Sequence, residues 1–368
     1  MQKKVDLSGL SICFIAGTLG MGGAERQLFY IVRSLKQQGA RVSVLSLRTG
    51  EFWERQILEL GIGVVWVGSK PSRIARLTRM VAELSRLRPH IIQSQHFFTN
   101  LYAVTAGRFL GIPSIAAIRS DVTFELAANG RLLGGLSLRL PRLIAANSRI
   151  GIEAAQEHGV SATRLQFIPN VVDTTQFCPR IADLLPAGHV RILAVGRLTQ
   201  EKRVDRMLEI ISRVRELASS PFEVQIVGAG PLRSTLEERA EQLGLRGIVE
   251  FKGAVSDMAA VYRSAHILAH APDHEGTPNV LMEAMASGLA VVATNLGGVG
   301  DLMRHRDSGF LFSPGEDDDM ARNLAMLVDN PDLRRQVGER ARTSIEQTHS
   351  LHVLPRALSE LYSKALAS

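Results

Sequence analysis

Cysteine is scarce in this chain, which argues against a protein held together by disulfides or by a structural zinc ion. Only 2 cysteines occur among 368 residues, Cys13 and Cys178, and they lack the spacing of metal ligands. We therefore expect neither a disulfide framework nor a structural zinc site, and the composition is typical of a reducing compartment. A chain of this length can bury a full core without disulfides or a structural metal, and it is long enough for about two domains.

Aromatic residues and long apolar runs are also in short supply. Aromatics make up 5% of the chain, and no helix-turn-helix, zinc-finger or RNA-recognition motif accompanies them, so we expect no nucleic-acid partner. No apolar stretch approaches the roughly 18 residues that a membrane span requires. Asp6 precedes the first apolar segment and glycines cut it short, which argues against a signal peptide. We expect a cytoplasmic protein.

Positive charge is concentrated in the first half of the chain. Residues 1–175 hold 21 Lys and Arg against 11 Asp and Glu, a balance of +10, whereas residues 176–368 hold 22 against 25. The division predicts that the two halves meet different partners and that the first half faces an anionic one.

Short apolar runs alternate with amphipathic ones along nearly the whole chain. This alternation is typical of parallel sheets wrapped by helices, and it predicts an α/β protein with two doubly wound, Rossmann-like domains. A nucleotide-containing ligand is expected in a crevice between the carboxyl ends of their strands. The predicted strands are 11–16, 41–47, 63–67, 90–95, 114–118, 143–146 and 165–168, then 191–195, 223–227, 248–251, 267–270, 290–293 and 309–312.

The domain boundary is predicted within residues 173–189, which contain Pro179 and Pro186 and lack helical periodicity. The predicted domains are 1–178 and 179–350. Residues 351–368 are predicted to form a final helix that packs back on the first domain.

Two strand-to-helix turns are rich in glycine. The first contains Gly22 and Gly23 and leads into a predicted helix, where backbone amides can approach a ligand or where the glycines serve tight packing alone. The second, Gly228-Ala229-Gly230-Pro231, imitates a dinucleotide fingerprint, but Arg233 replaces its third glycine. Pro231 suits a first helical position, so this turn has an equally simple structural interpretation.

A cationic pair follows the first strand of the second domain. Arg197 and Lys202 would both stand at the carboxyl edge of the sheet, where they can neutralise a diphosphate leaving group without a metal. The alternative is a pair of ordinary surface charges on a loop.

A pair of carboxylates, Glu275 and Glu283, surrounds a predicted helix start with Thr277 as N-cap and Pro278 as first helical residue. Free amides at such a start bind anions. Carboxylates beside a diphosphate need other partners, and sugar hydroxyls are suitable ones. One Glu would hold a transferred sugar and the other a ribose diol, unless Glu283 is simply a solvated helix position.

Taken in order along nearly the whole chain, these motifs resemble the retaining glycosyltransferases of family 4. The matching segments are Gly22-Gly23-Ala24-Glu25, Ile168-Pro169-Asn170, Val195-Gly196-Arg197-Leu198 with Glu201-Lys202, Gly228-Ala229-Gly230-Pro231, Phe251-Lys252-Gly253, Glu275 with Glu283, and 284–294 with Gly297-Gly298. The resemblance implies the GT-B fold, in which two Rossmann-like domains face each other, the first (1–178) binding an acceptor and the second (179–350) a nucleotide-sugar. It also implies transfer with retention and without an obligatory metal.

The resemblance also implies a role for each matching site residue. Arg197 and Lys202 would bind the diphosphate, Glu283 the ribose, and Glu275 the donor sugar. Amides of Gly276, Thr277, Asn279 and Val280, around Pro278, would assist Glu275, and Gly22 and Gly23 would close over the phosphates. His96, which follows the fourth strand, would touch the transferred sugar or the acceptor, although a lone histidine is often structural. Glu275, Arg197, Lys202 and His96 are thus the predicted catalytic residues.

Two departures from the family pattern leave roles open. Gly300-Asp301 replaces the usual Pro-Glu, and Arg119-Ser120-Asp121 stands where many relatives have a histidine.

The predicted function is transfer of a sugar from a UDP- or GDP-sugar to a glycan hydroxyl, on an acceptor carried by a lipid such as a polyprenyl diphosphate. The donor explains few of the cations in residues 1–175, so an anionic membrane surface is a further expected partner, against the alternative of a solvated basic face. A nucleotide-sugar epimerase of the same fold and, less well supported, an NAD-dependent oxidoreductase are the alternatives.

Overall fold

A computed structural model describes residues 5–69, 72–179 and 189–367. The chain divides into two compact units. The first comprises residues up to Val171 together with those from Leu351 onward, and the second is Val172–Ser350. The division falls seven residues before the predicted one, because Val172 bridges to Ser350 and Phe177 packs against Tyr262 of the second unit. Residues 180–188 of the predicted boundary segment lie outside the described residues.

The first unit contains a parallel sheet wrapped by helices. Its strands are β1 (Ser11–Ala16), β2 (Arg41–Ser46), β3 (Gly63–Trp66), β4 (Ile91–Ser94), β5 (Ser114–Ile118), β6 (Leu143–Ala146) and β7 (Leu165–Phe167), paired in the order β3-β2-β1-β4-β5-β6-β7 within the described residues. The direction of winding reverses between β1 and β4. Such a switch point is where doubly wound sheets bind ligands.

The helices of this unit bury one face each against the sheet. They are α1 (Gly23–Gln37), α2 (Phe52–Glu59), α3 (Arg73–Leu87), α4 (Asn100–Leu110), α5 (Val122–Asn129), α6 (Arg131–Arg139) and α7 (Arg149–Glu157). In α1, Leu28, Ile31, Val32 and Leu35 recur at helical spacing and are all buried.

The second unit repeats the plan. Its strands are β8 (Val190–Val195), β9 (Phe222–Val227), β10 (Val249–Gly253), β11 (Ile267–His270), β12 (Ala290–Thr294) and β13 (Phe310–Phe312), in the order β10-β9-β8-β11-β12-β13. Its helices are α8 (Val204–Leu217), α9 (Arg233–Gln242), α10 (Met258–Arg263), α11 (Asn279–Ala286), α12 (Val299–Leu302), α13 (Asp317–Asp329) and α14 (Pro331–Thr348). The switch point lies between β8 and β11.

The last helix, α15 (Leu354–Leu366), belongs to the first unit. Leu354, Leu358 and Leu361 join the core around β1 and α1. Tyr362 is buried beside them and donates its hydroxyl proton to the Gln93 side chain over 2.7 Å.

Each predicted strand is present, and most boundaries agree within a residue or two. The predicted α/β fold with two doubly wound sheets is therefore confirmed. Within the described part of the chain, no helix has the combined length and apolar character that crossing a membrane requires.

Candidate active site

The switch point of the second sheet brings Lys202 and Glu275 into contact. β8 and β11 are neighbours, paired through Ile192 and Ile267. The segments that follow them therefore leave the same edge of the sheet, and the Lys202 ammonium meets the Glu275 carboxylate in an ion pair. The two residues are 73 positions apart, so the sheet topology alone creates this contact.

The carboxylate of Glu275 is buried and held in its ionised form. His270, the last residue of β11, donates its Nε2–H to Oε1 of Glu275 over 3.2 Å. Burial by itself would raise the pKa of Glu275, but the hydrogen bond and charge of His270 together with the charge of Lys202 outweigh it and hold the pKa at about 2. Glu275 therefore offers a fixed acceptor of hydrogen bonds rather than a proton donor.

Arg197 lies on the same loop as Lys202 but faces solvent. Its side chain is 72% exposed and forms an ion pair with Glu201 over 3.0 Å, whereas the Lys202 side chain is only 20% exposed. The structure thus places both predicted cations after β8 and brings only Lys202 onto Glu275.

The start of α11 differs from the predicted one by a residue. The helix begins at Asn279, and Pro278 is its N-cap. The prediction of Thr277 as N-cap is wrong because Pro278 has an extended ψ of 118° rather than a helical one. Val280 is half-buried beside Asn279 in the first turn, and Glu283 is buried on the same helix rather than solvated.

A glycine turn fixes the backbone that precedes α11. The N–H of Gly298 donates to the carbonyl of Gly276 over 2.7 Å. Gly297 has a φ of +54°, and a Cβ there would lie 2.1 Å from the carbonyl oxygen of Glu275. Only glycine allows this approach, so the pair Gly297-Gly298 positions the Glu275–Gly276 backbone.

The second glycine turn serves packing. A Cβ on Gly228 or Gly230 would lie 1.8 Å and 2.3 Å, respectively, from the carbonyl oxygens of Gly196 and Leu198. The turn therefore lies directly against the loop that carries Arg197. Pro231 is not the first residue of α9, which begins at Arg233.

Two further groups in this unit received no role from the sequence. His270 orients Glu275, and Asp273 ties the loop before α11 to α8 through Arg203 at 3.0 Å and Arg206 at 2.7 Å. Their positions in the sequence could have indicated these roles. His270 ends β11 and Asp273 follows it, and β11 pairs with β8, the strand that precedes Lys202.

The switch point of the first sheet gathers His96, Gly17 and Glu25. The N–H of Gly17 donates to Nδ1 of His96 over 3.1 Å, and Nε2 of His96 lies 3.0 Å from Oε1 of Glu25. Because Nδ1 accepts, the ring proton resides on Nε2 and is donated to Glu25. Both side chains are about nine-tenths buried. Glu25 belongs to the motif Gly22-Gly23-Ala24-Glu25, but the sequence did not indicate its contact with His96.

Gly22 makes room for this arrangement. It is the N-cap of α1, whose first residue is Gly23, and a Cβ on Gly22 would lie 2.1 Å from Oε2 of Glu25. Gly22 thus has a packing role in this structure. The contact of Gly22 and Gly23 with donor phosphates stays a prediction.

Phe98 is a second neighbour of His96 that the sequence did not indicate. Its ring stacks on the imidazole with centroids 5.4 Å apart and planes 27° apart. The Phe98 ring occupies the space that a Cβ on Gly17 would need, since the ideal Cβ lies 2.0 Å from Cζ.

The segment after β5 is partly structural. Asp121 caps α5 by accepting from the N–H of Phe124 over 2.7 Å, and Ser120 hydrogen-bonds Glu125 of the same helix. Burial lowers the pKa of the Arg119 guanidinium to about 10, partly offset by its electrostatic interaction with Tyr362.

The two sheets and the residues at their switch points are those of a glycosyltransferase of the GT-B type. The family model Glycosyltransferase Family 4 matches residues 21–176, and the model Glycosyl transferases group 1 matches residues 182–344. These matches span most of the chain. The protein belongs to the glycosyltransferases of family 4, as its motifs indicated.

Relatives of known or assigned activity agree with this membership. The chain is 22% identical, over 94% of its length and 96% of the relative's, to the GalNAc-alpha-(1->4)-GalNAc-alpha-(1->3)-diNAcBac-PP-undecaprenol alpha-1,4-N-acetyl-D-galactosaminyltransferase of Campylobacter jejuni. It is 32% identical to the putative colanic acid biosynthesis glycosyltransferase WcaL of Escherichia coli over 52% of this chain and spans about half (48%) of that relative's length.

A solved structure shares the fold. HepE of Anabaena, in complex with UDP-glucose, superposes with a TM-score of 0.84 and 20% identity over 96% of this chain and 99% of its own.

Proposed function

We propose that the second unit binds a UDP- or GDP-linked sugar and that the enzyme transfers this sugar to a hydroxyl of a glycan, with retention of configuration and without an obligatory metal. The observation that carries the proposal is the ionised Glu275 held between Lys202 and His270 at the switch point. A fixed carboxylate beside a fixed ammonium suits a ligand that carries both hydroxyls, which donate to the carboxylate, and a diphosphate, which binds the ammonium. The HepE complex with UDP-glucose supports a nucleotide-sugar donor.

The cations of the loop after β8 would hold the diphosphate. An ammonium has three N–H donors, so Lys202 can keep Glu275 and still donate to phosphate oxygens. Arg197, exposed on the same loop, adds a guanidinium that can fork onto two oxygens. Amides at the start of α11, at Asn279 and Val280, add partial positive charge. These groups would neutralise the leaving group in place of a divalent ion.

The carboxylates would recognise hydroxyls. Glu275 stays ionised and repels phosphate, so its acceptor capacity is available to the transferred sugar, assisted by the backbone from Gly276 through Thr277 and Pro278. Glu283 lies buried one to two turns into α11. By its motif position, we assign Glu283 to the ribose diol.

In the first unit, His96 would meet the transferred sugar or the acceptor. Its ring is oriented by Gly17 and Glu25 in the neutral Nε2–H form. Both ring nitrogens are engaged, so a substrate hydroxyl would take the place of Gly17 or Glu25 as a partner of the ring, or pack against its carbon edge.

Retention would follow from reaction on one face of the sugar. The bond between the anomeric carbon and the leaving phosphate oxygen breaks, the bond to the acceptor oxygen forms on the same face, and the acceptor proton passes to the departing phosphate. This route needs no side-chain nucleophile, and we assign none.

The acceptor would be a glycan linked to a lipid, assembled on the cytoplasmic face of a membrane. The Campylobacter relative, whose name specifies an undecaprenol-linked acceptor, supports this class, and WcaL supports polysaccharide synthesis more broadly. The balance of +10 over residues 1–175 suits an anionic surface or a prenyl diphosphate.

Release of nucleoside diphosphate from a panel of nucleotide sugars, with and without lipid extract, tests the proposal. One donor should give release that depends on the extract and survives EDTA. Arg197→Ala and Lys202→Ala should each reduce the rate by at least about 100-fold, the order expected for a contact to developing charge. Arg213→Ala, which removes an exposed cation paired with Asp318, is the matched control and should retain activity.

Three results would overturn the proposal: no donor binds, both variants keep the wild-type rate, or the product is inverted. Conversion of a nucleotide sugar without any acceptor would instead indicate the epimerase, and binding of NAD the oxidoreductase.

A further inference from the structure

The first unit carries an apolar groove that the proposed mechanism does not use. Its volume is about 310 Å³, and it lies among α3, α4 and α6. The apolar lining consists of Leu47, Ile74, Leu77, Phe98, Leu101 and Leu133. Concave sites for small molecules have volumes of roughly 300–1,000 Å³, so the groove can hold a ligand segment of modest size.

Large apolar side chains at this groove remain uncovered. Ile74 on α3, which lines the groove, is 77% exposed. Phe98 is also exposed over nearly half of its surface. Exposed apolar side chains that line a concavity are typical of a binding site for an apolar partner.

Positive charge accompanies the apolar lining. Arg73 and Arg76, from the first turns of α3, line the same groove. The lining residues within the described chain include no Asp or Glu. A ligand that complements this surface is apolar over most of its length and carries a strongly anionic group at one end.

The groove shares one residue, Phe98, with the cluster around His96. Phe98 lines the groove, and its ring stacks on the His96 imidazole with centroids 5.4 Å apart. A molecule seated in the groove therefore contacts the direct neighbour of His96, the residue proposed to meet the acceptor.

We propose that this groove binds the lipid end of a prenyl-diphosphate-linked acceptor. The phosphate-proximal isoprene units occupy the apolar lining, Arg73 and Arg76 bind the diphosphate, and the attached glycan extends past Phe98. The assignment rests on the proposed function, because it names the acceptor class for that reaction. It differs from simple membrane association, since a concave, two-arginine site selects a single chain rather than a bilayer surface.

Binding of farnesyl diphosphate to the full chain, measured by calorimetry in excess UDP and GDP, tests the assignment without requiring transfer. The nucleotides occupy the proposed donor site, so a loss of farnesyl diphosphate binding is separable from a failure of the donor proposal. Farnesol and inorganic diphosphate are the probes for the two halves of the ligand.

Two variants substitute exposed residues of the groove, so both proteins should fold. Thr105→Trp fills the groove from its rim, and Arg73→Glu reverses one charge. Each variant should weaken the binding of farnesyl diphosphate at least about tenfold. A loss of this order is expected when one close charge contact is removed or when the pocket is filled by a side chain. Ser85→Trp and Arg86→Glu make the same changes at exposed positions of α3 outside the groove and should leave binding unchanged.

We expect farnesyl diphosphate to bind more tightly than farnesol or inorganic diphosphate. Several outcomes contradict the assignment: no binding, equal binding of inorganic diphosphate, equal binding of farnesol, or indifference to both groove variants. Variants that weaken adhesion to anionic phosphatidylglycerol vesicles but keep farnesyl diphosphate binding would show a membrane surface instead.

Discussion

His96 and Glu25 form a buried hydrogen bond of 3.0 Å whose direction is set by a third group, the backbone N–H of Gly17. That N–H donates to Nδ1, which leaves Nε2–H to point at the carboxylate. Glu25 is thus a positioning residue for His96, 71 positions away in the chain. The consequence is that changing Glu25 should affect transfer through the orientation of the imidazole.

Glu25→Ala should lower the transfer rate about 10-fold, corresponding to loss of a charge-assisted hydrogen bond of roughly 1.5 kcal/mol. Glu25→Gln keeps an oxygen acceptor at the same place and should restore most of the rate. Release of nucleoside diphosphate at saturating donor measures both, with Glu59→Ala, an exposed carboxylate paired with Arg55, as control. Equal losses in the Ala and Gln variants would contradict the positioning role.

The ion pair of Lys202 and Glu275 should contribute to stability as well as to binding. Its side chains are 20% and 11% exposed, so Lys202→Met leaves a buried carboxylate whose remaining side-chain partner, in the described part of the chain, is His270. We expect this variant to lose about 3 kcal/mol of unfolding free energy. In the Lys202→Met background, Glu275→Gln should lower the unfolding free energy much less than it does alone, because it removes the unpaired buried charge.

Urea unfolding followed by far-UV circular dichroism measures this double-mutant cycle. The matched control is the exposed pair of Arg213 and Asp318, whose side chains are 44% and 68% exposed. Its coupling should stay below about 1 kcal/mol. Additive effects of the Lys202 and Glu275 variants would show that the two side chains do not interact in solution.

The strands could be predicted because each is a short run of buried apolar residues between turn signals. β5, for example, occupies Ser114–Ile118 as predicted, and its last four residues are all buried. The start of α11 was missed by one residue, since proline fixes φ but not ψ, and Pro278 has the extended ψ of an N-cap.

The site was predictable only in part, for a related reason. Positions at the ends of neighbouring strands, such as Lys202 and Glu275, follow from topology once the strands are known. Phe98 and Glu25 did not follow, because their contacts with His96 depend on side-chain directions and on space left by Gly17 and Gly22. A single sequence does not encode such distances in any local pattern.

Gly230 should prove essential to the loop that carries Arg197. A Cβ at this position would lie 2.3 Å from the carbonyl oxygen of Leu198, so Gly230→Ala must displace backbone. We expect a loss of about 2 kcal/mol in unfolding free energy and weaker donor binding, in line with overpacking of a close contact. In the control Gly63→Ala, the new Cβ meets nothing within 4 Å, and stability should hardly change. Normal donor affinity in Gly230→Ala would contradict this account.

His349 should make stability fall in mildly acidic solution. It is buried at the end of α14, where its carbonyl accepts the N–H of Val172 over 2.8 Å, and burial lowers the pKa of its imidazole from 6.5 to about 4. Between these values the unfolded chain binds a proton that the folded chain does not. Stability is therefore unaffected above pH 6.5 and declines as the pH falls toward 4, by up to about 3 kcal/mol.

The variant His349→Gln cannot take up this proton, so its urea stability should change less between pH 7 and pH 5 than that of the wild type. Glu275 does not confuse the comparison, because its pKa of about 2 is depressed from 4.5 and its own contribution is lost only below that range. His158→Gln, at an exposed position of the first unit, should keep the wild-type slope. If His349→Gln keeps the full slope, another group is responsible and the buried imidazole has no part in the acid sensitivity.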